Sequence, residues 1–203
     1  MEYLILAVLW ITFCAIHSVL ISTTLTNFVK QKAGNAYRYY RLFYNIFSIV
    51  TMVPVVLYTL SIKQPPFFVW DGYLLPIKYI LIATGIIFFI LGGQRYSFSQ
   101  FSGIRQIREG IDQKLINKTG KLSSSGILGA VRHPFYAGMF PLIWARDLDI
   151  TFFTVNIILS AYLIIGTLLE ESKLVLEFGD TYREYQQKVS MLFPLKFIKA
   201  KLL

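Results

Sequence analysis

Two clusters in this chain carry side chains that could do chemistry. Arg132-His133-Pro134-Phe135-Tyr136 gathers a guanidinium, an imidazole and a phenol around a proline, and Glu170-Glu171 places two carboxylates directly after an apolar run. The residue before a proline is pushed out of the helical region, so His133 is expected at a helix start rather than inside a helix. A helix start offers backbone N–H groups to an anion. A carboxylate at the membrane boundary is costly unless it is paired. Glu170-Glu171 therefore either pairs with Arg132 and pins two segments together, or forms part of a ligand site. The residues alone leave both readings open.

The elements that must position these clusters are membrane elements. The chain has 203 residues, 55% of them hydrophobic, and its mean hydropathy is +0.56, which marks an integral membrane protein. A single cysteine, Cys14, and two histidines exclude a disulfide framework and leave no transition-metal site. No cleavable leader is expected, because the first apolar run lacks a basic start and a small-residue cleavage site. The net charge of +9 is not a nucleic-acid footprint. Four of the 20 lysines and arginines lie in Lys30–Arg41, seven in Arg95–Arg132 and six after Glu170. Alternating topology puts all three segments on one side, which the positive-inside rule makes cytoplasmic and where anionic lipid adds attraction.

Tyr3–Ile21 reads as a first span, long enough for a helix that needs about 20 apolar residues. His17, near its cytoplasmic end, is either a neutral residue bonded to a neighbouring helix or a substrate contact. Lys30–Arg41 reads as a short loop whose Tyr37-Arg-Tyr-Tyr-Arg41 anchors at headgroup level. Leu42–Ile62 is a second span, kinked at Pro54. Lys63–Tyr73 is an outer loop, and Leu74–Gly93 a third span whose Gly92-Gly93 invites close approach.

Arg95–Arg132 is the one long polar segment, too long for a connector. Its interleaved Phe98, Phe101, Ile104 and Ile107 suit an ordered cap on the membrane face, a lid candidate. Pro134–Ala145 reaches only about 18 Å at 1.5 Å per residue, against a hydrocarbon core near 30 Å. A short or broken element there implies a cavity, because irregular backbone at membrane depth must be covered or line one. Arg146-Asp-Leu-Asp149 is a tight polar turn, and Ile150–Leu169 another uncharged span. From Glu170 the chain turns amphipathic, with Gly179 a helix C-cap and Asp180 a new N-cap.

The expected fold is thus all-α and membrane-embedded, with about five transmembrane helices, a C-terminal helical hairpin and a cytoplasmic amphipathic tail. Residues 1–94 form an N-terminal three-helix region and 95–203 a C-terminal region, divided into a cap (95–132), a membrane hairpin (133–169) and a tail (170–203).

Gly126…Arg132-His-Pro-Phe-Tyr136-Ala-Gly138, Glu170-Glu171 and Glu177-Phe-Gly-Asp-Thr-Tyr182-Arg-Glu-Tyr185, with Phe193-Pro194 after them, resemble the isoprenylcysteine carboxyl methyltransferase superfamily of integral-membrane methyltransferases. The resemblance covers about the last 80 residues. The N-terminal half, with His17-Ser18, Tyr37–Tyr44 and Phe98…Phe101…Arg105-Gln106, looks more like the branch containing methanethiol S-methyltransferase and a denitrification-associated membrane protein family.

The resemblance implies S-adenosylmethionine as cofactor, with His133, Pro134, Phe135 and Tyr136 as its binding tetrapeptide and Glu170 as its binding glutamate. Gln106, Leu122 and Ser123 are weaker matches, and Leu128 stands where the family often has an aromatic residue. Gly166 stands where the carboxyl methyltransferases carry a substrate-contacting arginine. That departure argues against an isoprenylcysteine carboxylate and for a thiol or another uncharged nucleophile. Arg132, Glu171 and His17 are the catalytic candidates for handling the acceptor's proton, since the thiolate is the nucleophile.

The expected function is S-methylation of a small or lipophilic thiol entering from the bilayer, with the cofactor site and C-terminus on the cytoplasmic side. Membrane lipid is an expected partner, and nucleic acid and metal are not. Two alternatives stand beside it. One is an NADPH-dependent reductase of sterol-reductase-like architecture, which needs more basic residues for the extra phosphate. The other is a non-enzymatic accessory membrane protein; scarce histidine argues against heme.

Overall fold

A computed structural model describes residues 1–95, 99, 102–109 and 124–202 of the chain. Among these the fold is all-α, with no strand: α1 (Glu2–Ile21), α2 (Thr23–Ala33), α3 (Tyr40–Ser61), α4 (Leu75–Gly93), α5 (Ile104–Glu109), α6 (Ile127–Ala130), α7 (Pro134–Trp144), α8 (Ile150–Phe178), α9 (Asp180–Lys188) and α10 (Leu195–Leu202). Glu2–Ile21, Thr23–Ser61, Gly72–Gly93 and Ile150–Phe178 are long and apolar enough to cross a membrane. The fold is that of an integral membrane protein. The expected fifth segment is α7, whose 11 residues extend about 16 Å, roughly half a bilayer core.

Three expectations are corrected. The loop expected over Lys30–Arg41 is instead the end of α2 followed by a 3-10 turn, Gly34–Tyr39. Ser22 is the cause: its extended backbone (φ −64°, ψ 146°) ends α1 and its hydroxyl accepts from Leu25 N–H to start α2. The span and the amphipathic stretch after Glu170 form one helix, α8, which runs through Phe178 to the expected C-cap Gly179. Ser-Lys-Leu-Val-Leu-Glu are tolerable or good helix residues, and only Gly179, with φ +57°, stops the helix. Gly179 also caps α9, so Asp180 is that helix's first residue and not its cap. Of Gly92-Gly93, only Gly92 meets a neighbour; Gly93 has open space. Half of the expected cap, 95–132, lies outside the described residues.

Contacts sort the described residues into two units. The first comprises those of Met1–Phe67, Ser97–Leu115 and Leu148–Leu159. Leu6, Trp10, Val55 and Val155 form its core. Trp10 Nε1 donates to Thr59 Oγ1 at 3.0 Å, and that hydroxyl donates on to Val55 O, so no polar atom of the pair is stranded in the apolar interior. Asp149 starts α8, its Oδ1 accepting from Phe152 N–H at 2.7 Å.

The second unit comprises the described residues of Phe68–Tyr96, Ile116–Asp147 and Ser160–Leu203. Here α4 and α7 run antiparallel, with Gly85 against Gly138 and Leu142 at one level and Gly92 against Pro134 at the other. A Cβ on Gly85 would lie 2.4 Å from Leu142 Cγ and 2.8 Å from Gly138 O. The two backbones approach as closely as small residues allow, which is how membrane helices associate without a hydrophobic driving force. Beyond this contact, Trp70 N–H and Lys78 Nζ both reach Asp147 Oδ1, at 3.0 and 3.4 Å. Trp144 Nε1 donates to Ser160 Oγ at 3.1 Å and ties α7 to α8.

Candidate functional site

His133 caps α7 with a non-helical backbone (φ −122°, ψ 73°), and Pro134 is the first helical residue. The proline rule alone anticipates this local geometry. The segment before α7 is held by main-chain bonds. Arg132 N–H donates to Ser190 O and His133 N–H to Met191 O, beside an isolated bridge between Val131 and Ser190. These bonds fix where the Arg132 and His133 side chains depart.

Both side chains converge on Glu171. Arg132 grips it with two parallel bonds, Nε to Oε1 at 2.9 Å and Nη2 to Oε2 at 2.7 Å. His133 Nε2 lies 2.6 Å from Oε1, Tyr182 OH donates to Oε1 at 2.6 Å, and Gln186 Nε2 donates to Oε2 at 2.5 Å. Arg132 Nη1 also donates to the carbonyls of Gln186 and Val189. A buried carboxylate needs several donors to offset lost hydration, and this one has them on both oxygens.

Glu170 is different. Its side chain is 41% exposed, against 8% for Glu171, and its Oε2 lies 3.6 Å from His133 Nδ1. His133 thus stands between two carboxylates, and only the doubly protonated ring has a hydrogen for each. Burial by itself pushes the imidazole pKa down. Glu170 and Glu171 push it up and prevail, leaving it above 6.5. Arg132 shows the same contest, with burial opposing and Glu171 prevailing. The Tyr182 phenol is raised, first by burial and then by the adjacent Glu171 charge.

Tyr136 completes the neighbourhood. Its ring meets His133 edge to face, with centroids 5.8 Å apart. A Cβ on Gly166 would lie 3.8 Å from Tyr136 Cε1 and 3.9 Å from its hydroxyl, so Gly166 lies beside the phenol end of the ring. An exposed carboxylate and an aromatic ring, both flanking His133, suit a ligand carrying positive charge.

The structure therefore brings Arg132, His133, Tyr136, Glu170 and Glu171 into one cluster in the second unit. Pro134 and Phe135 turn to α4, where they meet Gly92, and Phe135 also meets Phe89. Leu128 is buried and its carbonyl accepts from Tyr185 OH. His17 and Gln106 belong to the first unit. His17 is bonded to a neighbouring helix, with Nδ1 3.1 Å from Ser48 Oγ and Nε2 2.5 Å from Tyr44 OH. Gln106 Oε1 is buried with no hydrogen-bond partner among the described residues. Leu122 and Ser123 lie outside the described residues. Tyr182 and Gln186 were missed as site residues. Their i, i+4 spacing on one face of an amphipathic helix was the available signal.

A family model described as "NnrU protein" matches residues 4–148. Among curated proteins, a methanethiol S-methyltransferase of a Pseudomonas species is 27% identical over 186 residues, covering 84% of this chain and 70% of its own length. The methanethiol S-methyltransferase of Pseudomonas deceptionensis is 42% identical over 65 residues, 32% of this chain and 25% of that protein. Methanethiol S-methyltransferase 1 of Bradyrhizobium diazoefficiens is 43% identical over 68 residues, 32% of this chain and 23% of that protein. No solved structure matches.

Proposed function

This chain belongs to the NnrU protein family, and we propose that it is an integral-membrane methyltransferase that methylates a thiol at the expense of S-adenosylmethionine. The observation that carries the reading is the contrast between two adjacent glutamates. Glu171 is saturated by donors from Arg132, His133, Tyr182 and Gln186, whereas Glu170 is half exposed beside His133. A carboxylate held half open next to an aromatic ring is a receptor for an ammonium or sulfonium group. The relatives' names supply the transfer of a methyl group to sulfur.

The residues present fit such a donor. Glu170 would take its ammonium, Tyr136 would lie against its cationic end, and the start of α7 would face its carboxylate. When bound, S-adenosylmethionine supplies an electrophilic methyl on a sulfonium. The chain's own contribution is positioning and water exclusion, the main sources of rate in an in-line displacement. Arg132 and Glu171 hold each other and fix His133 between the carboxylates. The acceptor reacts as its thiolate. Gly166 presents no charge beside the Tyr136 hydroxyl, which suits a small or lipophilic thiol rather than a carboxylate. The charge of Glu170 works against the phosphates of NADPH. The distribution of lysine and arginine supports a cytoplasmic position for this site and the C-terminus.

The test is binding of S-adenosylmethionine to the detergent-solubilised chain, followed by methyl transfer to a thiol panel. Glu170→Ala and His133→Ala are expected to raise the dissociation constant at least about tenfold, the loss of one charge-assisted hydrogen bond. A wild-type chain that does not bind, or variants that bind equally well, would overturn the reading.

A further inference from the structure

Beside the proposed donor site lies a device that the transfer reaction does not itself require. Tyr182 and Gln186 sit one turn apart on α9, and each donates a side-chain hydrogen bond to Glu171, one to Oε1 and the other to Oε2. Tyr182 is among the largest fully buried side chains. The same Glu171 Oε1 that takes the Tyr182 hydroxyl proton also lies against His133 Nε2. Orientation of the imidazole therefore passes through a carboxylate whose own position is set from α9. Arg132 closes the loop, gripping Glu171 with one edge while its Nη1 donates to the carbonyls of Gln186 and Val189 at the end of α9.

We propose that Tyr182 and Gln186 are positioning residues of the donor site: they clamp Glu171, which fixes the His133 ring with Nδ1 toward Glu170, so that α9 sets the geometry of a receptor it does not enter. The inference rests on the reading of Glu170 and His133 as the donor site. Its physical basis is that a metal-free imidazole between two carboxylates keeps its orientation only if at least one carboxylate is immobile. A surface-exposed Glu170 cannot be that one, and Glu171 can because its remaining lone pairs are engaged. Removing the Tyr182 hydroxyl leaves Oε1 less satisfied, so its pull on the His133 proton increases.

The chain contains two histidines, His17 and His133, so 13C-histidine labelling gives a two-signal spectrum, and a His17→Gln chain assigns it. The experiment follows both signals through a pH titration in the full-length, detergent-solubilised wild type and in Tyr182→Phe, alongside S-adenosylmethionine binding and thermal unfolding. The expected result is that the His133 midpoint moves upward while the His17 midpoint stays, and that the dissociation constant rises about three- to tenfold. A variant that only unfolds at lower temperature, with the His133 midpoint and donor affinity unchanged, would show a purely structural tyrosine and overturn the proposal. If Tyr182→Phe does not fold, Gln186→Met is read by the same signals and decides in its place. If the wild type binds no S-adenosylmethionine, the donor reading fails, while the His133 midpoint still decides whether α9 positions the imidazole.

Discussion

The two glutamates that share a helix turn differ in what surrounds them, and that difference assigns their work. Glu171 faces inward, to the guanidinium, imidazole, phenol and amide of Arg132, His133, Tyr182 and Gln186, and Glu170 keeps an open side. A pH dependence follows. His133 has a folded-state pKa above 6.5 because the two carboxylates outweigh its burial. Its contribution to stability is therefore fully present below 6.5 and is lost as pH rises through the raised folded value. Thermal unfolding of the solubilised chain should show a melting temperature that falls over that rise. In Glu170→Gln the fall should begin at lower pH, since one of the two supporting charges is gone; an identical profile would refute the bridging role. The position of His133 was legible in advance, because a proline constrains its predecessor by local sterics. Which glutamate pairs with Arg132 was not, since adjacent residues on a helix differ only by a rotation that tertiary contacts decide. Tyr182 and Gln186 stayed hidden for the same reason.

Among the elements, α4 and α7 make the closest contact, and glycine makes it possible. Gly138 would bring a Cβ to 2.9 Å from Gly85 O and 3.0 Å from Phe88 Cβ. Gly85→Val should destabilise the protein by about 1–3 kcal/mol through overpacking, read as a lower melting temperature and faster proteolysis. Gly93→Ala, with nothing within 4 Å of the added atom, should change neither. A Gly85→Val chain as stable as the wild type would contradict the antiparallel contact. The spans themselves were readable from uninterrupted apolar length, and α7 was readable as too short. The helix breaks were less so. Ser22 ends a helix by bonding its own successor's turn, and α8 continues past Leu169 because the next residues are equally at home in water and in a helix. Charge marks where a membrane ends, and it does not mark where a helix ends.

For the whole molecule, orientation is the property that charge predicts. Cys14 is the sole cysteine and is buried, so the chain serves as its own background for labelling. Lys32→Cys and Lys199→Cys should react with a membrane-impermeant maleimide only from the cytoplasmic side, and Lys63→Cys only from the other. The reverse pattern would overturn the assigned topology.

The bonds of Arg132 and His133 carry a further consequence for a shortened chain. Their partners are Glu170 and Glu171, within α8, and Gln186, Val189, Ser190 and Met191, which follow the last membrane-length helix of the described residues. A chain truncated after Phe178 would hold its apolar helices, His133, Tyr136 and both glutamates, yet would lack Tyr182, Gln186 and the carbonyls of Val189, Ser190 and Met191, so the cluster would be present but only partly held.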